Sequence, residues 1–245
     1  MSKPTLLVFT LGAARESARH RLLPERLRGM ETGLRDGCFE VALKAGEACG
    51  CRIEVCSPSP IPVPEGVENV AQTGGDFGSR LAEAVGGALD RGVGPLLVVG
   101  SDVPGLTARH LARALSLLAE DPDRVVLGPS PDGGLYLLGT CRPLEGLGTA
   151  ARWCRRDTLR GLLRTLRAAG RPVVLLEPLA DLDRPADLER WLARRHGDER
   201  WRSVVGLLRR VLAGLRRPLA APDADLRAAF ATALAGRSPP SLVAS

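Results

Sequence analysis

Aromatic residues make up only 3% of the 245 residues. Single-stranded nucleic acids are held largely by bases stacked on aromatic faces, so this composition argues against nucleic acid as a partner. No zinc-finger or other nucleic-acid motif is present either. Long apolar runs are missing as well: none approaches the roughly 18–20 residues that a membrane-spanning helix needs. The opening "MSKPTLLVFTLG" has one lysine and then an apolar run too short for a secretory signal. It reads as a first strand, and a cytoplasmic protein is expected. The six cysteines (Cys38, Cys49, Cys51, Cys56, Cys141, Cys154) contain no C-x-x-C pair. The C-x-C spacing of Cys49 and Cys51 suits neither a zinc knuckle nor a disulfide framework, so reduced, mostly buried thiols are expected. Lysine is confined to Lys3 and Lys44, so the net charge of +6 rests on arginine. Such a balance suits a phosphate-bearing small substrate at least as well as a polyanion. The three histidines, His20, His110 and His196, fall in arginine-rich helical or loop contexts and are expected at the surface.

What remains is ordinary globular composition, 44% hydrophobic and 25% charged, with length for one α/β domain and a generous core or for two small domains. Short apolar runs at 5–10, 52–57, 96–100, 124–130, 134–140 and 172–177 read as buried strands. Between them lie helical patterns at 30–49, 75–92, 107–120, 156–170 and 184–195. Thr107 is placed as an N-cap and Pro185 near a helix start. Residues 13–29 are an arginine-rich loop or frayed helix, and "PSPIPVPEG" is a proline-stiffened connector. Strands alternating with helices predict a mainly parallel sheet covered on both faces, with ligands beyond the carboxyl ends of the strands. Asp102, at the end of "LLVVGSD", stands where such a site belongs. Its structural alternative is a helix cap, a role for which Thr107 is better placed.

Past residue 197 the pattern changes. "RWRSVVGLLRRVLAGLRRPL" sets Trp201, Val204, Val205, Leu208, Val211, Leu212 and Leu215 on one helical face with arginines opposite. A basic amphipathic helix of this kind lies on a membrane surface, on its own domain or on a partner subunit. One further short helix with an aspartate cap and a disordered tail, "RSPPSLVAS", complete the chain.

Five stretches occur in order: "QTGGDFGSRLAEAV", "VVGSDVPGLTARHLARAL", "VVLGPSPDGGLYLLG", "RWCRRDTLRGLL" and "LADLDRPADLERW". Together, over residues 5–195, they resemble the glycosyltransferase-A-like transferases named radical-SAM/selenodomain-associated or arsenosugar-type transferases. These are related to the 2-phospholactate and molybdenum-cofactor guanylyltransferases. The residue pattern alone gives a helical extension over 198–236 and a tail over 237–245. The resemblance leaves these unexplained and implies a glycosyltransferase-A-like domain over 1–197. It implies a cytoplasmic, Mg²⁺- or Mn²⁺-dependent transferase using a nucleotide-activated donor and a small-molecule acceptor. Glycosyl transfer from a nucleotide-diphospho-sugar is preferred. Nucleotidyl transfer with release of pyrophosphate is the alternative, and a catalytically degenerate fold serving as a binding partner is the third. Neither a nucleic-acid partner nor a membrane span is expected, and helix 200–217 is the place for a homodimer or protein contact.

The resemblance also assigns residues. Asp102 matches the metal-binding aspartate at the strand tip, with Ser101 beside it on the donor. An oxygen ligand there suits a hard divalent cation bridging phosphates. Asp183, with Asp181 beside it, matches the carboxylate that completes the metal site, against the alternative of a simple helix cap. Asp187 fits a structural place in the first helical turn. Asp132 stands in the turn before Gly133 and Gly134, either on a ligand hydroxyl or in an Asx-turn, and the two glycines permit close backbone approach. Tyr136 and Trp153 fall on the acceptor or in the core. Gln72 is set to read a nucleobase, Gly74 and Gly75 to offer backbone N–H groups, and Arg80 to meet a phosphate or form a surface ion pair. The family's "P-G-x-V-K-T-R-L" loop is replaced by "GAARESARHRLLP". Arg19 stands at its lysine and His20 at its threonine, while Arg21, Leu22 and Pro24 keep the ending. Arg19 and Arg21 are the candidate phosphate ligands, with a planar fork in place of an ammonium.

Overall fold

Alternation of side chains along each strand builds the sheet of this protein between two layers of helix. A computed structural model describes residues 3–92, 94–150, 153–194, 199–214 and 223–235. Two compact units divide them. The first comprises residues 1–12 and 39–181, the second 13–38 and 182–245.

The first unit holds a seven-stranded sheet in the order β3-β2-β1-β4-β6-β5-β7. The strands are β1 (Thr5–Phe9), β2 (Arg52–Ser57), β3 (Glu68–Ala71), β4 (Leu96–Gly100), β5 (Val125–Pro129), β6 (Leu135–Thr140) and β7 (Val173–Leu175). Every pairing is parallel except those of β6 with β4 and β5. The Pro-Asp-Gly-Gly turn explains the exception, because a tight turn can only return the chain antiparallel. One face packs Leu7, Leu96, Val98, Val125, Leu127 and Leu138 against α3 (Phe77–Asp90), α5 (Leu147–Ala150) and α6 (Thr158–Ala168). On the other face Gly46 of α2 (Arg28–Ala48) lets that helix approach Leu6 and Ile53. There Gly139 likewise admits Leu118 of α4 (Ala108–Glu120). This mainly parallel, helix-flanked sheet is the glycosyltransferase-A-like architecture implied by the five motifs.

β3 has no counterpart among the apolar runs. Its residues are exposed or half-buried at the sheet edge, so burial imposes no hydrophobic pattern on them.

The second unit contains α1 (Ala13–Arg19), a 3-10 turn (Glu25–Leu27), the first part of α2, α7 (Pro185–Ala193), α8 (Glu199–Gly214) and α9 (Asp223–Leu234). Residues 13–29 are thus mostly helical. Three glycines spaced by four, Gly29, Gly33 and Gly37, lie along the start of α2. A Cβ at Gly33 would stand 2.8 Å from the Phe230 ring, and one at Gly37 2.8 Å from Leu234, so these glycines make room for α9. Trp191 meets Trp201 edge to face at 5.1 Å between ring centroids. On α8, Trp201, Val204, Val205, Leu208 and Val211 are all buried, so its apolar face is covered within the chain. Residues 215–217, His196 and the tail 237–245 lie outside the described residues. No helix among the described residues is long and apolar enough to cross a membrane.

Candidate active site at the carboxyl edge of the sheet

The chain leaves β1 toward β2 and β3 and returns on the opposite side at β4, so the strand order reverses between β1 and β4. Ligand crevices of open α/β sheets form at such a point. The register aligns Phe9 with both Cys56 and Gly100, so Thr10, Ser57 and Ser101 emerge side by side. Ser101 Oγ donates to Thr10 Oγ1 at 2.7 Å, and the same oxygen accepts from Gly12 N at 2.9 Å. The Gln72 side-chain nitrogen donates to Thr10 O and Cys56 O, each at 2.8 Å, stitching the ends of β1 and β2. Its amide oxygen is buried without a hydrogen-bond partner among the described residues.

Asp102 follows directly and is half-buried. Its Oδ1 folds back over Gly100, where a Cβ would lie only 2.6 Å away. Val103 and Pro104 are buried beneath it, and Leu106 N closes a turn on Val103 O at 3.2 Å. Thr107 caps α4 as expected. His110 is not the surface residue its arginine-rich context suggests. One ring nitrogen meets Thr107 and the other lies 3.1 Å from Glu177 Oε1, while its ring sits edge-on to Tyr136. The apolar face of α4 draws the ring inward.

The turn between β5 and β6 carries the second group. Gly133 N donates to Ser130 O, Ser130 N to Gly134 O, and Gly134 N to Asp132 Oδ1 at 2.8 Å, an Asx-turn. Asp132 is exposed, and one of its carboxylate oxygens lies within 4.8 Å of one of Asp181. Asp102 does not join this pair within that distance. Asp183, two residues beyond Asp181, belongs to the second unit. The Asp132–Asp181 pairing was readable only as the D-x-D at 181–183, because it depends on two loops brought together by the β5–β7 pairing.

Other candidates are placed as follows. Gly133, at φ +94°, stands where a Cβ would be 1.9 Å from Arg156 O, so its close approach is to the protein's own backbone. Tyr136 takes the core position: it is 2% exposed and donates to Glu177 O at 3.1 Å, and burial pushes its pKa up to about 12. Trp153 packs against Phe77 at 5.5 Å and donates to Leu147 O at 2.9 Å. Gly74 adopts φ +108°, and Gly75 has open space where a Cβ would be. Asp76 caps α3, and the Ser79 N–H holds its carboxyl below the ordinary 3.8. Arg80 forms no ion pair among the described residues but donates to Gly75 O at 2.9 Å, bracing its own loop.

In the second unit Arg19 and Arg21 are both exposed. Arg21 Nη1 lies 2.6 Å from Glu25 Oε2. Asp187 is structural: its Oδ2 accepts from Arg184 N at 2.8 Å, and Arg190 pairs with its other oxygen.

This architecture is shared with a Desulfovibrio desulfuricans G20 protein provisionally designated a nucleotide-diphospho-sugar transferase. That protein is 24% identical with a TM-score of 0.71, over 88% of this chain and 98% of the other. Residues 39–155 match a family described as "Uncharacterized protein conserved in bacteria (DUF2064)". An Rv0371c homologue from Mycobacterium sp. strain JC1 is 20% identical with a TM-score of 0.50, covering 83% of this chain and 98% of its own. Rv0371c of Mycobacterium tuberculosis H37Rv, solved as a manganese complex, is 18% identical with a TM-score of 0.49, covering 77% and 97%. No curated protein matches the sequence.

Proposed function

We propose that this protein is a metal-dependent transferase that takes a nucleotide-activated donor, with glycosyl transfer from a nucleotide-diphospho-sugar to a small acceptor as its reaction. The observation that carries the reading is the Asp132–Asp181 pair at the carboxyl edge of a sheet of this architecture. The shared fold with a protein designated a nucleotide-diphospho-sugar transferase supports it by analogy.

The donor set is carboxylate oxygen, which fits a hard divalent cation such as Mg²⁺ or Mn²⁺. Asp132 and Asp181 would hold it. Such an ion would neutralise charge building on the leaving phosphate. Asp102, turned back over Gly100 at the β4 tip, supplies a further carboxylate to the donor side. Gln72 braces the strand ends under the site and does not present itself to a base, its two donors being spent on Thr10 O and Cys56 O and its amide oxygen being buried. Gly75 offers open backbone ahead of α3, and Arg19 and Arg21 are assigned to the phosphates.

Glycosyl transfer is favoured over nucleotidyl transfer because residues 13–19 form a helix where the resembling family has its proline-glycine phosphate loop, with Arg19 at the lysine position. That leaves a weak grip for a triphosphate. The test is a thermal-shift and calorimetric panel of nucleoside diphosphates, nucleotide-sugars and triphosphates with and without Mn²⁺, on the wild type and on Asp102→Ala and Asp132→Asn. A ligand at 100 times its Kd adds about 2.7 kcal/mol of stability. Metal-dependent stabilisation by nucleotide-sugars, lost in the variants, is the expected result, with free nucleoside diphosphate as product. Pyrophosphate as product would establish nucleotidyl transfer, and no stabilisation by any nucleotide would overturn the reading.

A further inference from the structure

Glu31 and Arg35 stand one turn apart near the start of α2 and are 2% and 4% exposed. A buried ion pair is seldom kept for stability alone, since apolar residues of similar volume usually serve as well or better. What these two groups do with their remaining hydrogen-bonding capacity is therefore informative. Glu31 Oε2 accepts from Leu22 N at 3.1 Å and Leu23 N at 2.9 Å. Arg35 lies with Nε 3.5 Å from Glu31 Oε1, and its Nη2 donates to the main-chain oxygen of His20. Both members thus hold the backbone of residues 20–23, the stretch that carries Arg21 and directly follows Arg19.

The same part of α2 is backed from behind. Gly33 lies between Glu31 and Arg35 in sequence and is the glycine that accommodates Phe230 of α9, while α9 also touches the 3-10 turn that follows the loop. The C-terminal helices therefore support the helix from which the loop is suspended. A guanidinium fork binds phosphate only when its backbone is set correctly, because its donors lie in one rigid plane.

We propose that Glu31 and Arg35 are positioning residues for the donor's phosphates, setting the basic loop so that Arg19 and Arg21 can both engage them. The inference rests on the reading of Arg19 and Arg21 as phosphate ligands. The pair acts through the loop main chain and does not itself touch the donor.

Inorganic pyrophosphate, the portion common to nucleoside di- and triphosphates, is the probe, titrated calorimetrically into the full-length protein. Arg19→Ala with Arg21→Ala should weaken its binding by at least about tenfold, the worth of one charged hydrogen bond. Glu31→Met with Arg35→Met replaces the pair by apolar bulk but leaves Leu22 N, Leu23 N and His20 O without these partners. Tm should therefore fall by several degrees while the protein remains folded at the temperature of the titration. It should nonetheless lose at least about tenfold in affinity. The amides of Leu22 and Leu23 should lose hydrogen-exchange protection at the same time. A purely structural role would move Tm and leave affinity unchanged at temperatures where the variant is fully folded. If the double-methionine variant binds as tightly as wild type while the arginine variant does not, positioning is refuted and the phosphate reading stands. If wild type and arginine variant bind alike, or neither binds, the phosphate reading falls and this inference with it. Should the double-methionine variant fail to fold, Glu31→Gln, measured where it is folded, decides by the same affinity criterion.

Discussion

Oδ1 of Asp102 occupies the space that a side chain at position 100 would need: a Cβ on Gly100 would sit 2.6 Å from it. The neighbours that such a Cβ would meet are Oδ1 and Cγ of Asp102 alone, so alanine there displaces the carboxylate and spares the strand. Gly100→Ala should change unfolding free energy by no more than about 1 kcal/mol, the strain being offset by a stiffer unfolded chain. Metal-dependent nucleotide binding should nevertheless fall by about tenfold or more, the worth of a displaced charged group. Urea denaturation alongside calorimetry checks both halves.

Positions 133 and 134 separate stability from chemistry. Gly133→Ala combines positive φ with a backbone clash against Arg156 O and should cost about 3 kcal/mol or more. At Gly134 a Cβ would lie 3.1 Å from Asp132 Oδ1. Gly134→Ala should therefore cost little in denaturation midpoint and show its effect in metal affinity.

The fold was legible because burial writes itself into sequence. β2 runs over Arg52–Ser57, where its apolar run placed it, and α4 starts after Thr107, where its cap does. β3 was not legible because its edge position leaves its residues half-exposed. Asp102 stands at the strand end where its sequence put it but apart from the acidic pair, whereas the meeting of Asp132 with Asp181 needed two loops far apart in sequence. A glycine in sequence does not say whose backbone comes close, and at Gly133 it is that of Arg156. His110 looked like a surface residue because its neighbours are arginines, while its own helical position faces Tyr136.

Glu25 competes with any phosphate for Arg21. Both side chains are more than half exposed, so the pair itself is worth little. Glu25→Gln should leave Tm unchanged and raise pyrophosphate affinity about two- to threefold at low salt, with the gain vanishing as Debye screening shortens. Titrations at two salt concentrations check this.

Burial pushes the thiols of Cys51 and Cys56 up to about 11 from the ordinary 9.0, and Tyr136 up to about 12 from 10.0. The unfolded chain releases these protons at lower pH than the native one does. Stability should hold below about pH 9 and decline as pH rises through 9 to 12. Urea midpoints at pH 7, 9 and 10.5 should fall in that order, and the decline should lessen in Cys51→Ala with Cys56→Ala. At pH 8, iodoacetamide should reach the exposed Cys154 well before either buried thiol.

Phe230, fully buried over Gly33, anchors α9. Phe230→Ala should cost about 3–5 kcal/mol in the second unit's unfolding, read by the Trp191 and Trp201 fluorescence change.

The second unit is assembled from residues 13–38 and 182–245, with residues 39–181, which carry every strand of the sheet but β1, in between. On the ribosome, residues 13–38 are synthesised before the sheet segment 39–181, and α9 only after it. Until then Gly33 and Gly37 have no helix laid over them, whereas residues 39–181 already hold all but the first strand of the sheet and can pair as they appear. Loop closure over so long a span adds only slowly to the entropic cost, but contacts of such sequence separation form late. Docking of α9 on α2 thereby becomes a late step, one that completes the second unit only after strands β2–β7 have been made.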